Sequence, residues 1–170
     1  MAGNLSVAAL GERDIIVTRD FDAGRQYVFA AMTDADQMKR WLFGPEEWPL
    51  AHCVSEAVEG GALRLIWRRR DGRELGMSGT YREVIPPERL VHTELFDEDW
   101  TGGQSLVTTV LAASGSGTSM AMSIRYSSRA ARDNALATTM RQGLELCYTR
   151  LAALVEGGFP TSASGPQASS

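Results

Sequence analysis

The chain has 170 residues, of which 44% are hydrophobic and 22% charged, with a net charge of −4. That length suits one domain burying roughly 70% of its unfolded surface, and the negative balance argues against nucleic acid and anionic membranes, which both reward clustered positive charge. No apolar run approaches the ~20 residues of a membrane span and no basic segment precedes an apolar one at the start, so a cytoplasmic protein is expected. Cys53 and Cys147 lie far apart without CxxC spacing, which reads as two free thiols.

Residues 1–12 read as a flexible leader and 157–170 (GGFPTSASGPQASS) as a disordered Gly/Ser/Pro-rich tail, with a single domain over 13–156 between them. The β-branched run DIIVTRDF at 14–21 predicts a strand. Tyr27, Val28 and Ala31 fall at helical spacing over 23–32, and Asp34 can cap a second short helix over 35–41 that ends before Gly44-Pro45. Strand signals then recur near 50–58, 62–69, 75–85, 89–97, 104–112 and 118–126. Short turns separate them, among them Gly60-Gly61, Asp71-Gly72, Pro86-Pro87 and Gly115-Ser116-Gly117, and short connections imply an antiparallel meander. Pro86-Pro87 fixes one corner, because each proline holds its φ and lacks an N–H.

The last element is predicted as one long helix over 128–155, with Ser127 or Ser128 as N-cap. Leu136, Met140, Gly143, Leu144, Cys147, Leu151 and Leu154 form an apolar stripe that only the sheet is large enough to cover. A glycine inside a helix costs on the order of 1 kcal/mol, so Gly143 on that stripe suggests close approach to a strand or a ligand.

The segments TRDFDAGRQYVFAAMTD, DQMKRWLFGPE, EGGALRL, GTYREVIPPERLV and RQGLELCYTRLAAL occur in that order between about Ile15 and Leu154. They resemble the family named for the C-terminal domain of the activator of Hsp90 ATPase, within the START/Bet v 1-like (polyketide cyclase) superfamily. The resemblance implies an α+β helix-grip fold: a curved antiparallel sheet of about seven strands wrapped round a long C-terminal helix, with two short helices after the first strand. Three positions depart from the family pattern, Gly24 for a proline, Leu42-Phe43 where a second tryptophan is frequent, and Leu144 for another tryptophan. The eukaryotic activators engage the chaperone through a separate N-terminal domain for which this chain has no room, so the match does not imply co-chaperone activity.

A helix-grip fold encloses a cavity between the concave face and the helix, and strand alternation nominates its lining. Met120, Met122, Ile124 and Tyr126 share one face. Val107, Thr109 and Leu111 form a second inward set, and Leu63, Leu65 and Trp67 a third. Methionines there suit adaptable binding of irregular apolar molecules. In the strand after the prolines, hydrophobicity points Val91, Thr93 and Leu95 inward. The resemblance instead points Leu90, His92, Glu94 and Phe96 inward, and the proline corner favours that register. His92 and Glu94 then place titratable groups about 7 Å apart in an apolar cavity, where they could orient a ligand's polar end or act as acid and base. Trp41 reads as a plug or a gate. The candidate ligand-binding set is Trp41, Leu63, Leu65, Trp67, Tyr81, His92, Glu94, Val107, Thr109, Met120, Met122, Ile124, Met140, Leu144 and Cys147.

No metal site is expected from two histidines without ligand spacing. No cofactor is expected either, since the paired glycines lack a following helix and no serine sits in a G-x-S-x-G elbow. Three functions remain open: binding of a small hydrophobic or amphipathic ligand, a cyclase, aromatase or hydrolase using His92 and Glu94 with Tyr81 or Tyr126, and a stress-linked interaction factor using an apolar convex face. A homodimer is compatible with any of them.

Overall fold

Pro86 and Pro87, joined by a cis bond, turn the chain between two long neighbouring strands, and the sheet is organised about that corner. In this computed structural model, which describes residues 3–157, the elements run β1 (Ser6–Leu10), β2 (Asp14–Phe21), α1 (Arg25–Thr33), α2 (Ala35–Trp41), β3 (Leu50–Ser55), β4 (Ala62–Arg68), β5 (Glu74–Ile85), β6 (Arg89–Phe96), β7 (Ser105–Ser114), β8 (Gly117–Arg125), α3 (Arg129–Leu136) and α4 (Met140–Glu156). The eight strands form one antiparallel sheet in the order β1-β2-β8-β7-β6-β5-β4-β3. Between β2 and the far edge strand β3, α1 and α2 carry the chain across the sheet. This is the expected α+β helix-grip architecture.

Two expectations need correction. The leader is not wholly loose: Ser6–Leu10 pairs with β2 from Ser6↔Thr18 to Leu10↔Asp14 and buries Val7, so the sheet has eight strands rather than about seven. Gly11, at φ 58°, makes the tight turn that closes this hairpin. Of the proposed tail, residues 158–170 lie outside the described residues.

The C-terminal helix is two helices. Thr138 interrupts it: its hydroxyl donates to the Ala135 carbonyl at 2.6 Å and accepts from the Met140 amide at 3.2 Å. A side chain that satisfies local backbone groups in this way offers an alternative to continuing the helix. The break lets α3 and α4 meet different parts of the molecule. The buried Arg132 of α3 donates to the carbonyls of Asp14 and Gly11 beside β2, while α4 lies against α2, α1 and β2. The buried stripe of α4 is Cys147, Tyr148, Leu151, Ala152 and Val155, with Met140, Gly143, Leu144 and Leu154 only half-buried. Gly143 makes no close approach to a strand, for a Cβ there would meet nothing within 4 Å.

Cross-strand rungs order the concave face. Leu65, Met77 and Phe96 form one, Tyr81, His92, Val107, Ile124 and Ile15 another, and Val84, Leu90, Thr109, Met122 and Val17 a third. Gly79 lies between the first two and faces Leu63. A Cβ on it would lie 2.0 Å from the Thr93 carbonyl oxygen, so only glycine lets β5 and β6 approach as they do.

Candidate functional site

The helices do not cover the concave face evenly. Because α1 packs on β7 and β8, and α3 and α4 on β2, the β2–β8 side is filled and a space remains over β4, β5 and β6. That space is a cavity of ≈ 80 Å³, roofed by α1, α2 and Tyr148 of α4.

Of the residues expected at the site, Trp41, Leu63, Leu65, Tyr81, His92, Glu94, Val107 and Met122 line the cavity. The structure does not bring Trp67, Thr109, Met120, Ile124, Met140, Leu144 or Cys147 to its wall. Thr109, Met120 and Ile124 share the inward face but are buried on its filled side. Met140 and Leu144 lie on the half-buried first turns of α4. The Cys147 thiol turns to the Phe43 carbonyl, 3.2 Å away. Trp67 stands at the rim, its Nε1 donating to the Leu42 carbonyl at 2.9 Å and its ring stacked 6.4 Å from Phe96, which in turn lies 5.0 Å from Trp100.

The expected ligand-binding set leaves out Met32, Met38, Leu42, Met77, Leu90 and Tyr148, which also line the cavity; of these, Leu90 is on the face that the resemblance points inward. Met77 and Leu90 were recoverable as rung partners of Leu65 and of Thr109. Met32, Met38 and Tyr148 depend on how helices seat on the sheet, which strand alternation does not specify.

The strand conflict resolves with Leu90, His92 and Glu94 on the cavity wall. Val91 and Thr93 are buried too, at 7% exposure each, on the opposite face, while Leu95 is 43% exposed. Thr93 Oγ1 accepts from the Thr80 amide at 3.0 Å, and Val91 pairs with Glu83, which forms an ion pair with Arg89 at 3.0 Å.

His92 Nε2 and Glu94 Oε1 are 3.0 Å apart, with side-chain exposures of 13% and 26%. His92 Nδ1 is buried and has no partner among the described residues. A proton on Nδ1 would be a buried donor without an acceptor, which costs ~1–3 kcal/mol. The geometry therefore places the proton on Nε2, donated to Glu94, and leaves Nδ1 a bare lone pair. The donors on the wall are engaged elsewhere. Trp41 Nε1 donates to the Ala31 carbonyl at 2.8 Å. Ser55 Oγ lies 2.6 Å from the Thr33 carbonyl and 2.6 Å from Tyr81 Oη; since its one proton goes to the carbonyl, Tyr81 donates to Ser55. Tyr148 Oη donates to Met122 Sδ at 3.4 Å. Burial raises Tyr81, and burial with the Glu94 charge pushes Tyr126 up to about 12. Tyr148 is raised by burial first, then by the charges of Cys147 and Glu94. None of the three phenols is a base near neutral pH.

A second, shallower depression of ≈ 320 Å³ lies along the convex Thr93–Leu106–Arg125 rung and is lined by Arg13, Arg82 and Arg125. It lacks the apolar enclosure that small-molecule sites use. Among the described residues no three His, Cys, Asp or Glu side chains are grouped to hold a metal ion, and no helix is long and apolar enough to cross a membrane.

Over residues 22–156 the sequence matches the family described as Activator of Hsp90 ATPase homolog 1-like protein. The chain belongs to this family. A crystal structure of a protein from Rhodobacter sphaeroides is 33% identical, with a TM-score of 0.86 over 91% of this chain and 99% of that one. A Chromobacterium violaceum protein is 26% identical, with a TM-score of 0.73 over 85% of this chain and 97% of that one. A solution structure of an Arthrobacter aurescens protein, at 21% identity and a TM-score of 0.80 over 97% and 98% of the two chains, shows the fold alone. These place the family in the START/Bet v 1-like superfamily. No curated protein matches the sequence.

Proposed function

We propose that this protein binds a small hydrophobic or amphipathic molecule in the cavity beneath Trp41 and Tyr148. The observation that carries the reading is the composition of the wall: four methionines (Met32, Met38, Met77 and Met122) with leucines and aromatics around one polar pair, His92 and Glu94. Enclosed apolar space with a few convergent polar groups is the usual make-up of a ligand site, and its family commonly binds hydrophobic ligands. At ≈ 80 Å³ the space is below the roughly 300–1,000 Å³ of drug-sized sites. The ligand is therefore compact, or the methionines repack round it, as their unbranched side chains allow.

The test is an NMR titration with a panel of compact apolar molecules, following the indole N–H of Trp41, alongside native mass spectrometry of freshly purified protein. Saturable shifts of Trp41 are expected. A panel in which nothing binds and no mass is retained would overturn the reading.

A second reading, proton transfer in the same cavity, draws on the His92–Glu94 hydrogen bond, which is the contact a base and its orienting partner need. It predicts that His92→Phe abolishes turnover of a substrate while leaving the unfolding midpoint within ~1 kcal/mol of the parent; retained turnover would exclude it.

A further inference from the structure

The free hydrogen-bonding capacity of the cavity wall is all of one kind. Trp41 Nε1, Tyr81 Oη and Tyr148 Oη, the donors on the wall, are each engaged within the protein. His92 Nε2 is engaged with Glu94 Oε1. What remains is the bare lone pair of His92 Nδ1 and the second oxygen of Glu94, Oε2, neither of which has a hydrogen-bond partner among the described residues. Glu94 is also the most open of this pair, with 26% of its side chain exposed, so its second oxygen is the group a ligand can reach. Among the described residues no Lys or Arg lines the cavity to balance an incoming negative charge.

We infer that the cavity selects compact apolar molecules ending in a hydrogen-bond donor, an alcohol or an amine, received by Glu94 Oε2, and rejects the matching carboxylates. A donor head completes the carboxylate's hydrogen bonding, whereas an anionic head meets a like charge in an apolar space and finds no donor. The selection rests on the cavity-binding reading above and extends it to the chemistry of the head group. It also separates this site from those that hold anionic apolar molecules, which need an Arg or Lys at the polar end.

Four probes sharing one ring test it: toluene, benzyl alcohol, benzylamine and benzoate, titrated into the intact protein at neutral pH with Trp41 as reporter. Benzyl alcohol and benzylamine are expected to bind at least tenfold more tightly than benzoate, with toluene giving measurable binding. In Glu94→Gln the benzylamine affinity should fall at least fivefold and the benzoate affinity rise, opposite changes that a general loss of the cavity would not give. If toluene binds and benzoate matches benzyl alcohol, the cavity reading stands and donor selection is overturned. If none of the four shifts Trp41, the cavity reading itself falls. The comparison among probes on the unmodified protein decides the matter even if the Glu94 variant folds poorly.

Discussion

Trp41 of α2 and Tyr148 of α4 meet over the cavity with ring centroids 5.6 Å apart and planes inclined by 50°. The contact joins two helices that the chain reaches more than a hundred residues apart, and it roofs a part of the concave face that the described helices leave unfilled. Trp41 is only 3% exposed and its Nε1 is anchored to Ala31, so it behaves as part of the core as well as a wall.

Trp41→Ala should therefore cost ~3–5 kcal/mol, as loss of a large buried aromatic does, and it should enlarge the space available to a ligand. Tyr148→Phe keeps the ring contact and removes only the hydroxyl on Met122, so a loss under ~1 kcal/mol is expected. Urea unfolding measures both. A Trp41→Ala loss as small as that of Tyr148→Phe would mean that Trp41 is a loosely held flap.

Two glycines make an opposed pair. Gly79→Ala drives a Cβ to 2.0 Å from the Thr93 carbonyl, and backbone on a central strand cannot yield cheaply. A loss of at least ~2 kcal/mol is expected, with shifted amide resonances along β6 where Glu94 sits. Gly143→Ala in α4 meets nothing within 4 Å and removes a helix-interior glycine, so it should stabilise by up to ~1 kcal/mol. Thermal unfolding of the two variants checks the signs. A destabilised Gly143→Ala would show that something packs at that position.

How much of this could be read beforehand follows from where each residue sits. Strand positions were legible because turn residues and β-branched runs mark them locally, and the inward register of β8 followed from simple alternation of Met120, Met122 and Ile124. Alternation failed on β6 because it is a central strand buried on both faces: Val91 and Thr93 are as dry as Leu90, so hydrophobicity carried no sign. The proline corner and the family resemblance supplied the register instead. The break at Thr138 was invisible because threonine continues or interrupts a helix according to what its hydroxyl finds. The extent of the cavity was overestimated because nothing local says which half of a sheet its helices will cover.

The two thiols give a pH dependence. Burial raises Cys53 from 9.0 to about 11, and Cys147 likewise. The unfolded chain ionises its thiols from the ordinary value upward while the folded protein keeps them protonated. The folded state thus binds more protons between about pH 9 and 11, and stability, fully present below that window, falls as pH rises through it. Urea midpoints at pH 8 and pH 10.5 should show the decrease. At pH 8 the folded protein holds its thiols more fully protonated than the unfolded chain does, so alkylation should run slower than in urea. Labelling of Cys147 at the unfolded rate would contradict its burial.

Arg132 is the polar residue on which the seating of α3 depends. Its side chain is 4% exposed, with Nε 2.7 Å from Asp133 Oδ1 and Nη1 2.9 Å from the Asp14 carbonyl and 3.3 Å from that of Gly11. It ties the first helix of the broken pair to the turn between β1 and β2. Arg132→Ala leaves those carbonyls unpaired and opens a void, so a loss of ~2–4 kcal/mol is expected. Arg132→Lys should recover little of it, because one ammonium cannot reproduce the planar fork that spans a carboxylate and two carbonyls. Asp133→Asn should cost under ~1 kcal/mol, since Asp133 is 55% exposed and water replaces what it supplies. Denaturant unfolding of the three variants separates the contributions, and hydrogen exchange at the amides of β1 adds a local readout. If Arg132→Ala leaves both unchanged, α3 is held by its apolar contacts alone, with Ala131 and Ala135 the buried residues that remain.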